Sequence, residues 1–222
     1  MKKILFIINS LGVGGAERML IYDINELVKR GDVELRLLTI RKETEKTLAG
    51  ELLLEYSLWK TIPVHTVFNF FKIFAFIRKE KPDVIFSHLW YANTIARIAG
   101  FLGGCRTIFC FEQNVYDTIK SKKSFFVDFI LQHFSHKIIA VSETVKNSLI
   151  RHGIKENKIE VIHNSVNIEK FIKKHSLTEL LPGPYGATSF LFIGRLIPQK
   201  NVDVLIRAFK NVHNAVLYIV GQ

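Results

Sequence analysis

Two stretches of the chain hold residues whose types and spacing could do chemistry on a phosphorylated ligand. The first, NSLGVGGAER, runs from Asn9 to Arg18, between an apolar run and a segment of helical period. Its glycines at 12, 14 and 15 allow a ligand close to the backbone. The free N–H groups and positive dipole end of a helix start suit a phosphate. The physical reading is an anion cradle, and the plainer alternative is a glycine turn that only reverses the chain. It is not the dinucleotide fingerprint. Glu17 stands where the third glycine of G-x-G-x-x-G belongs, the second strand ends at Thr39-Ile40-Arg41 without an acidic ribose partner, and no Walker lysine follows.

The second stretch lies within Phe190 to Phe209 and reads FIGRLIPQKNVDVLIRAF. Arg195 and Lys200 sit on the loop between a strand and a helix, where open α/β sheets bind ligands. A fork donor and a point charge together can neutralise a diphosphate. Solvated surface cations are the competing reading. A third feature, KSKKSFFVDFILQHFSHK from Lys120 to Lys137, places Phe125, Phe126, Phe129, Ile130, His133 and Phe134 on one helical face behind Lys120, Lys122 and Lys123. Such a helix either inserts at an anionic membrane surface or turns its apolar face to the core. The expectation is that Phe126, Ile130 and Phe134 face the core while Lys120, Lys122, Lys123 and Phe125 reach the membrane. His133 and His136 have i,i+3 spacing but no carboxylate beside them, so no metal site is read.

The elements that must position these residues alternate. Short runs rich in Val, Ile and Phe predict strands at about Lys3 to Asn9, Val33 to Ile40, Val64 to Val67, Val84 to His88, Thr107 to Glu112, Lys137 to Val141 and Ile159 to Ile162. Helical periods fill the gaps, at Ala16 to Arg30, Phe70 to Glu80, Ala92 to Phe101, Phe125 to Ser135 and Glu143 to His152. The class is α/β, with parallel strands under crossover helices. Periodicity fails between Phe171 and Ser189, where LPGPYGATS reads as a linker. One further strand, helix and strand follow, at Phe190 to Ile193, Val202 to Asn211 and Val216 to Val220. That unit cannot bury its own parallel strands, which points either to docking on the first domain or to a fragment of a longer protein.

Composition narrows the class. The 222 residues are 48% hydrophobic and 23% charged, which excludes a disordered or collagen-like chain. Lys and Arg exceed Asp and Glu by 31 to 20, a formal charge of +11 that favours polyanionic partners such as phosphorylated ligands, anionic lipid or nucleic acid. The basic residues are dispersed rather than gathered with aromatics, so nucleic acid is not expected as a partner. Cys105 and Cys110 are neither spaced as metal ligands nor numerous enough for a disulfide framework, as in a reducing cytoplasm. MKKILFII is too short an apolar run for a signal peptide, and Asn69 and Lys72 break the most apolar later window.

Four segments in order, SLGVGGAER, PDVIFSHLWYANTIAR, AVSETVKNSLIRHGIKENKIEVIHNSVNIEKF and FIGRLIPQKNVDVLIRAF, resemble the GT-B glycosyltransferases of family 4. The resemblance is to bacterial members that extend lipid-linked oligosaccharides, capsules and lipopolysaccharide. It implies two facing Rossmann-like domains. Residues 1–175 would form the acceptor-binding domain, 176–189 the linker, and 190–222 the first βαβ unit of a truncated nucleotide-sugar domain. It further implies that Gly14 and Gly15 meet the donor diphosphate and that Arg195 and Lys200 grip it. His88 would contact the donor sugar near the reacting carbon, although a strand-end histidine satisfied by backbone is the commoner case. Glu17, Glu112 and Asn114 are candidates on the acceptor side.

Where the family has Asn-Gly-Val-Asp, this chain has Asn164, Ser165, Val166 and Asn167, and the family's Glu-x7-Glu element would lie past the last strand. Two other pairs with that spacing, Glu26 to Glu34 and Glu43 to Glu51, lack its context. The expected activity is transfer of a hexose or N-acetylhexosamine from a nucleotide-diphosphate sugar to a lipid-linked saccharide, with retention. No cofactor and no catalytic metal are expected, since no Asp-x-Asp triplet occurs. The expected location is the cytoplasm, peripheral on the inner face of the membrane. The rival reading is a non-catalytic acceptor-binding or membrane-docking domain, either a fragment or a subunit that a second chain completes.

Overall fold

The computed structural model describes residues 1–42, 48–63, 67–115, 120–166, 168 and 186–221. It divides into two compact units, Met1–Ser165 and Val166–Gln222. Most of the expected linker, 176–185, lies outside the described residues, and Thr188 and Ser189 already belong to a strand.

The first unit holds strands β1 (Lys2–Ile8), β2 (Val33–Thr39), β3 (Trp59–Thr61), β4 (Val84–His88), β5 (Ile108–Glu112), β6 (Lys137–Ala140) and β7 (Ile159–Val161). All pair in parallel, in the order β3-β2-β1-β4-β5-β6-β7. Helices α1 (Gly15–Arg30), α2 (Val67–Glu80), α3 (Trp90–Leu102), α4 (Lys122–Leu131) and α5 (Glu143–Arg151) supply the crossovers. The chain builds outward from β1 to β3, then returns to lay β4 on the other side of β1. The strand order therefore reverses between β1 and β4, the place where ligands bind in open α/β sheets.

Strand β1 is buried on both faces, so its run of apolar residues needs no polar alternation. Ile4, Phe6 and Ile8 join Leu20, Ile21 and Ile24 of α1 in one core cluster. Leu5 and Ile7 join Ile73 and Ile77 of α2, Ala96 and Ala99 of α3 and Leu149 of α5 in the other. Each Leu, Ile or Phe side chain among them contributes about 1.5–3 kcal/mol by leaving water. Helix α1 ends at Gly31, whose φ of 67° is the left-handed value an L side chain resists, and whose N–H closes on the Leu27 carbonyl at 3.2 Å.

Two expectations need correction. The third strand is Trp59–Thr61 rather than Val64 to Val67. Val67 begins α2, and residues 64–66 lie outside the described set. The side chains of β3 explain the choice: Thr61 Oγ1 lies 2.7 Å from Thr39 Oγ1, and Trp59 Nε1 donates to the same Thr39 oxygen at 3.1 Å.

Helix α4 is also rolled away from its apolar prediction. Its buried residues are Asp128 and Leu131, whereas Phe126 and Ile130, expected in the core, are 63% and 47% exposed. The core already contains Arg97, and a buried guanidinium without a carboxylate costs more than two exposed apolar side chains. Asp128 therefore sets the roll of the helix. Phe134 does pack inward, 4.5 Å from the Phe101 ring centroid.

The second unit contains β8 (Thr188–Ile193), α6 (Val202–Phe209) and β9 (Ala215–Val220), with the two strands paired in parallel. Phe190 stacks edge-on to Phe209 at 5.5 Å, but Leu191, Ile193, Val204 and Ile206 remain exposed.

Candidate functional site

The glycine turn and His88 come to the same place in the first unit. The turn leaves the carboxyl end of β1, and His88 closes β4, its α-carbon paired with Ile8 of β1. Both flank the β1–β4 reversal. Gly14 is the N-cap of α1 and has no side-chain cap bond. Glu17 folds its carboxylate back over this start, so close that a Cβ on Gly14 would lie 2.2 Å from Glu17 Oε2. Residue 14 must be glycine for that conformation, which is the posture of a third-position glutamate in a capping box. Glu17 thus turns its carboxylate toward the helix start. The space beside Gly15 is open, with nothing within 4 Å.

His88 lies on the α1 side of the sheet with Val84 and Phe86, and its ring stacks on Phe111 at 4.3 Å and 9°. It is completely buried, and neither ring nitrogen has a hydrogen-bond partner among the described residues. The backbone-satisfied alternative is therefore not what the structure shows. Burial pushes its pKa down to about 3, so the imidazole is neutral at physiological pH. The next residue, Leu89, caps α3 with φ 75° and ψ 143°, a conformation that costs a branched side chain about 1–3 kcal/mol. It is held there by packing of Leu89 in the α1-side core and by the Asn93 N–H, which donates to the Leu89 carbonyl at 2.9 Å. The kink directs His88 to one face of the sheet and Trp90 to the other.

On that other face the end of β5 carries a buried polar network. Arg97 Nη1 donates to Asp128 Oδ1 at 2.9 Å, Arg97 Nη2 lies 3.7 Å from Glu112 Oε1, and Arg97 Nε donates to Cys110 Sγ at 3.3 Å. Asn93 Nδ2 donates to Glu112 Oε1 at 3.0 Å and itself accepts from Ser87 Oγ at 2.8 Å. Trp90 Nε1 donates to Asp128 Oδ2 at 3.0 Å, and Lys120 pairs with the same oxygen. Burial, reinforced by the Asp128 charge, raises the Glu112 carboxyl against the opposing pull of Lys120, Arg97 and Asn93. Asn114 lies half-buried in the turn that follows.

This network corrects two of the membrane assignments. Lys120 has a 5% exposed side chain, paired to Asp128 and set over the Trp90 ring at 5.4 Å. Phe125 is partly buried with its centroid 3.5 Å from that of His152. Lys122 and Lys123 are exposed as expected, and with Phe126, Phe129 and Ile130 they make an apolar and basic outer face on α4. Arg97 and Asp128 escaped the sequence reading, because a core arginine inside YANTIAR looks like any polar position of an amphipathic helix. The one available signal was an acid, Asp128, in the middle of an otherwise apolar stripe.

In the second unit, Arg195 and Lys200 stand on the loop leaving the carboxyl end of β8, both exposed. Gly194 N–H donates to the Val220 carbonyl at 3.0 Å, and Lys200 ends the short turn Pro198–Lys200 before α6. Among the described residues, no helix is long and apolar enough to cross a membrane.

Comparison with known proteins gives consistent matches. Residues 13–170 match Glycosyltransferase Family 4. A UDP-Gal:alpha-D-GlcNAc-diphosphoundecaprenol alpha-1,3-galactosyltransferase of Escherichia coli is 28% identical over 151 residues, 63% of this chain and 39% of the relative. The capsular polysaccharide biosynthesis glycosyltransferase CapH of Staphylococcus aureus is 25% identical over 137 residues, 59% of this chain and 36% of the relative. Among solved structures, Anabaena Alr3699/HepE in complex with UDP and glucose superposes with a TM-score of 0.81 at 20% identity, covering 99% of this chain and 60% of that one. The lipopolysaccharide outer core galactosyltransferase WaaB does so at 0.70 and 19%, covering 98% and 60%. The chain thus spans less than two thirds of the length of each.

Proposed function

The chain belongs to Glycosyltransferase Family 4 and has the GT-B type of fold, and from that premise we propose that it serves transfer of a hexose or N-acetylhexosamine from a nucleotide-diphosphate sugar to a lipid-linked saccharide in cell-surface polysaccharide assembly. The observation that carries the reading is the β1–β4 reversal, flanked by a glycine helix start and a neutral imidazole. UDP and glucose in HepE, and the lipid-linked acceptor named for the E. coli relative, favour a uridine donor and a polyprenyl-diphosphate acceptor.

Within this reading the residues divide the work. Arg195 and Lys200 neutralise charge developing on the departing diphosphate, so no cofactor is required. The amides at Gly14 and Gly15 receive a phosphate oxygen once Glu17 has swung aside. His88, kept neutral, offers a sugar hydroxyl a donor or an acceptor rather than a proton. Its complete burial means that the covering side chains must part first. Retention follows if the departing phosphate oxygen takes the acceptor proton. Lys122, Lys123, Phe126, Phe129 and Ile130 bring the protein to the anionic inner face of the cytoplasmic membrane. That outer face of α4 equally supports a second reading, a docking component that binds acceptor without transferring sugar.

The test is incubation of the protein with radiolabelled UDP-galactose, UDP-glucose or UDP-N-acetylglucosamine and a polyprenyl-diphosphate N-acetylglucosamine acceptor. Label should pass into the lipid extract, and Arg195→Ala with Lys200→Ala should abolish it without loss of acceptor binding. Acceptor binding with no transfer from any donor would select the docking reading. Unchanged turnover in the double variant would remove the basic pair from the site.

A further inference from the structure

The polar cluster at the end of β5 holds a charge imbalance that the proposed reaction does not use. Arg97, Lys120, Glu112 and Asp128 meet there, each with a side chain 5% exposed or less. Asp128 faces three donors, Arg97 Nη1, Trp90 Nε1 and Lys120 Nζ, and serves as the carboxylate of the cluster. Glu112 is placed differently. Its Oε1 accepts from Asn93 Nδ2 and lies 3.7 Å from Arg97 Nη2, whereas its Oε2 is buried with no hydrogen-bond partner among the described residues. A carboxyl oxygen that no donor reaches is the one that takes a proton.

The charge of the cluster turns on that proton. Two cations face the Asp128 carboxylate, so the sum is zero with Glu112 ionised and one excess positive charge with Glu112 protonated. An unbalanced charge cut off from water is costly, and a cation that can leave will relieve it. Arg97 cannot leave. It is fixed within α3 and also donates to Cys110 Sγ at 3.3 Å. Lys120 stands in the bend before α4, and its compact ammonium, on a flexible stem, is strongly hydrated once outside.

We propose that Glu112 and Lys120 form a proton-linked latch, in which ionised Glu112 keeps Lys120 inside against Asp128 and the Trp90 and Phe125 rings, and protonated Glu112 releases it to solvent. The charged groups acting on Glu112 are Lys120 of the bend, Asp128 of α4 and Arg97 of α3. Cys110 of β5, Ser87 of β4, and Asn93 and Trp90 of α3 complete the cluster. Burial, reinforced by Asp128, raises the Glu112 carboxyl above its ordinary 4.5 against the pull of Lys120 and Arg97, so release begins in milder acid than a surface glutamate requires. The released form holds the extra proton, and falling pH favours it. Outside, Lys120 joins the exposed Lys122 and Lys123, and the amino end of α4 presents three ammonium groups in place of two.

The test uses the 222-residue chain with Trp59→Phe, which leaves Trp90 as its one tryptophan. Over the range in which circular dichroism shows the chain folded, acrylamide quenching of Trp90 should rise as pH falls, with a midpoint above 4.5, because the departing lysine uncovers the indole. Lys120→Met has no ammonium to release and should abolish that transition. At pH 7.5, acetylation by acetic anhydride read by mass spectrometry should find Lys120 protected relative to Lys122 and Lys123. Glu112→Gln, which copies the protonated carboxyl, should raise labelling of Lys120 relative to theirs by about tenfold or more. Should Glu112→Gln fail to fold, the Trp90 titration decides alone. Quenching that stays flat with pH, a transition that persists in Lys120→Met, or equal protection of Lys120 in folded Glu112→Gln and its parent overturns the proposal.

Discussion

His88→Phe should make the protein more stable and change how its stability depends on acidity. In the native state the imidazole titrates near 3 against an ordinary value of 6.5, because burial penalises its charged form. Between those values the unfolded chain binds a proton that the folded chain refuses. Stability from this residue is therefore complete above pH 6.5 and is lost as pH falls toward 3. At pH 4.5, two pH units into that window, the loss comes to about 2.7 kcal/mol. Phenylalanine keeps the stack on Phe111 and removes two unpaired buried nitrogens, a gain of about 1–3 kcal/mol at neutral pH. Urea unfolding of both proteins at pH 7.5 and 4.5 measures the difference directly. The variant should lead at pH 7.5, and its lead should grow by about 2–3 kcal/mol at pH 4.5. A lead that stays constant with pH would show that the imidazole is solvated or paired, and would refute both its neutrality and its orphaned state.

Asp128→Ala should cost about 3–5 kcal/mol in urea unfolding, since it strands Arg97 and Lys120 in the interior, and a loss below about 1 kcal/mol would mean the network is relaxed by water. Phe126→Ser with Phe129→Ser should lower sedimentation with anionic phosphatidylglycerol vesicles at least tenfold, and Lys122→Ala with Lys123→Ala should weaken it and make what remains less sensitive to salt. Comparable binding by these variants would place membrane contact elsewhere. Burial pushes the Asp23 carboxyl from 3.8 up to about 6, so the folded chain holds its proton more tightly and stability falls as pH rises across that window. Asp23→Asn should remove the fall and leave the protein more stable at pH 7, and an unchanged pH profile would contradict the shift.

The parallel strands and their crossover helices were legible because both obey local rules. A short apolar run such as ILFII, closed by a glycine turn, reads as a strand buried on two faces, and the helical period of Glu143 to His152 reads as a crossover helix. The short β3 was missed because its pairing rests on a threonine contact and an indole N–H, neither of which has a sequence period. For α4, the apolar stripe suggested one roll and the hidden arginine on α3 imposed another. That partner lies 31 residues away, and no local window contains both. The places of the glycine turn and of the strand-end histidine beside the β1–β4 reversal were legible, but not their surroundings. The Glu17 carboxylate over Gly14, the missing partners of His88 and the strained Leu89 are properties of packing, and appear only when three strands are side by side.

The central place of β1 has a consequence for biosynthesis. Its partner β4 pairs residue 84 with residue 4, so the first strand leaves the ribosome about 80 residues ahead of half its hydrogen bonds. At translation speeds of about 5–20 residues per second that interval is roughly 4–16 s. Throughout it Leu5 and Ile7, whose helices also arrive late, have no mate on one flank. The nascent chain must pass that interval as an incomplete sheet with an open apolar edge, and it is then that a chaperone has most to offer it.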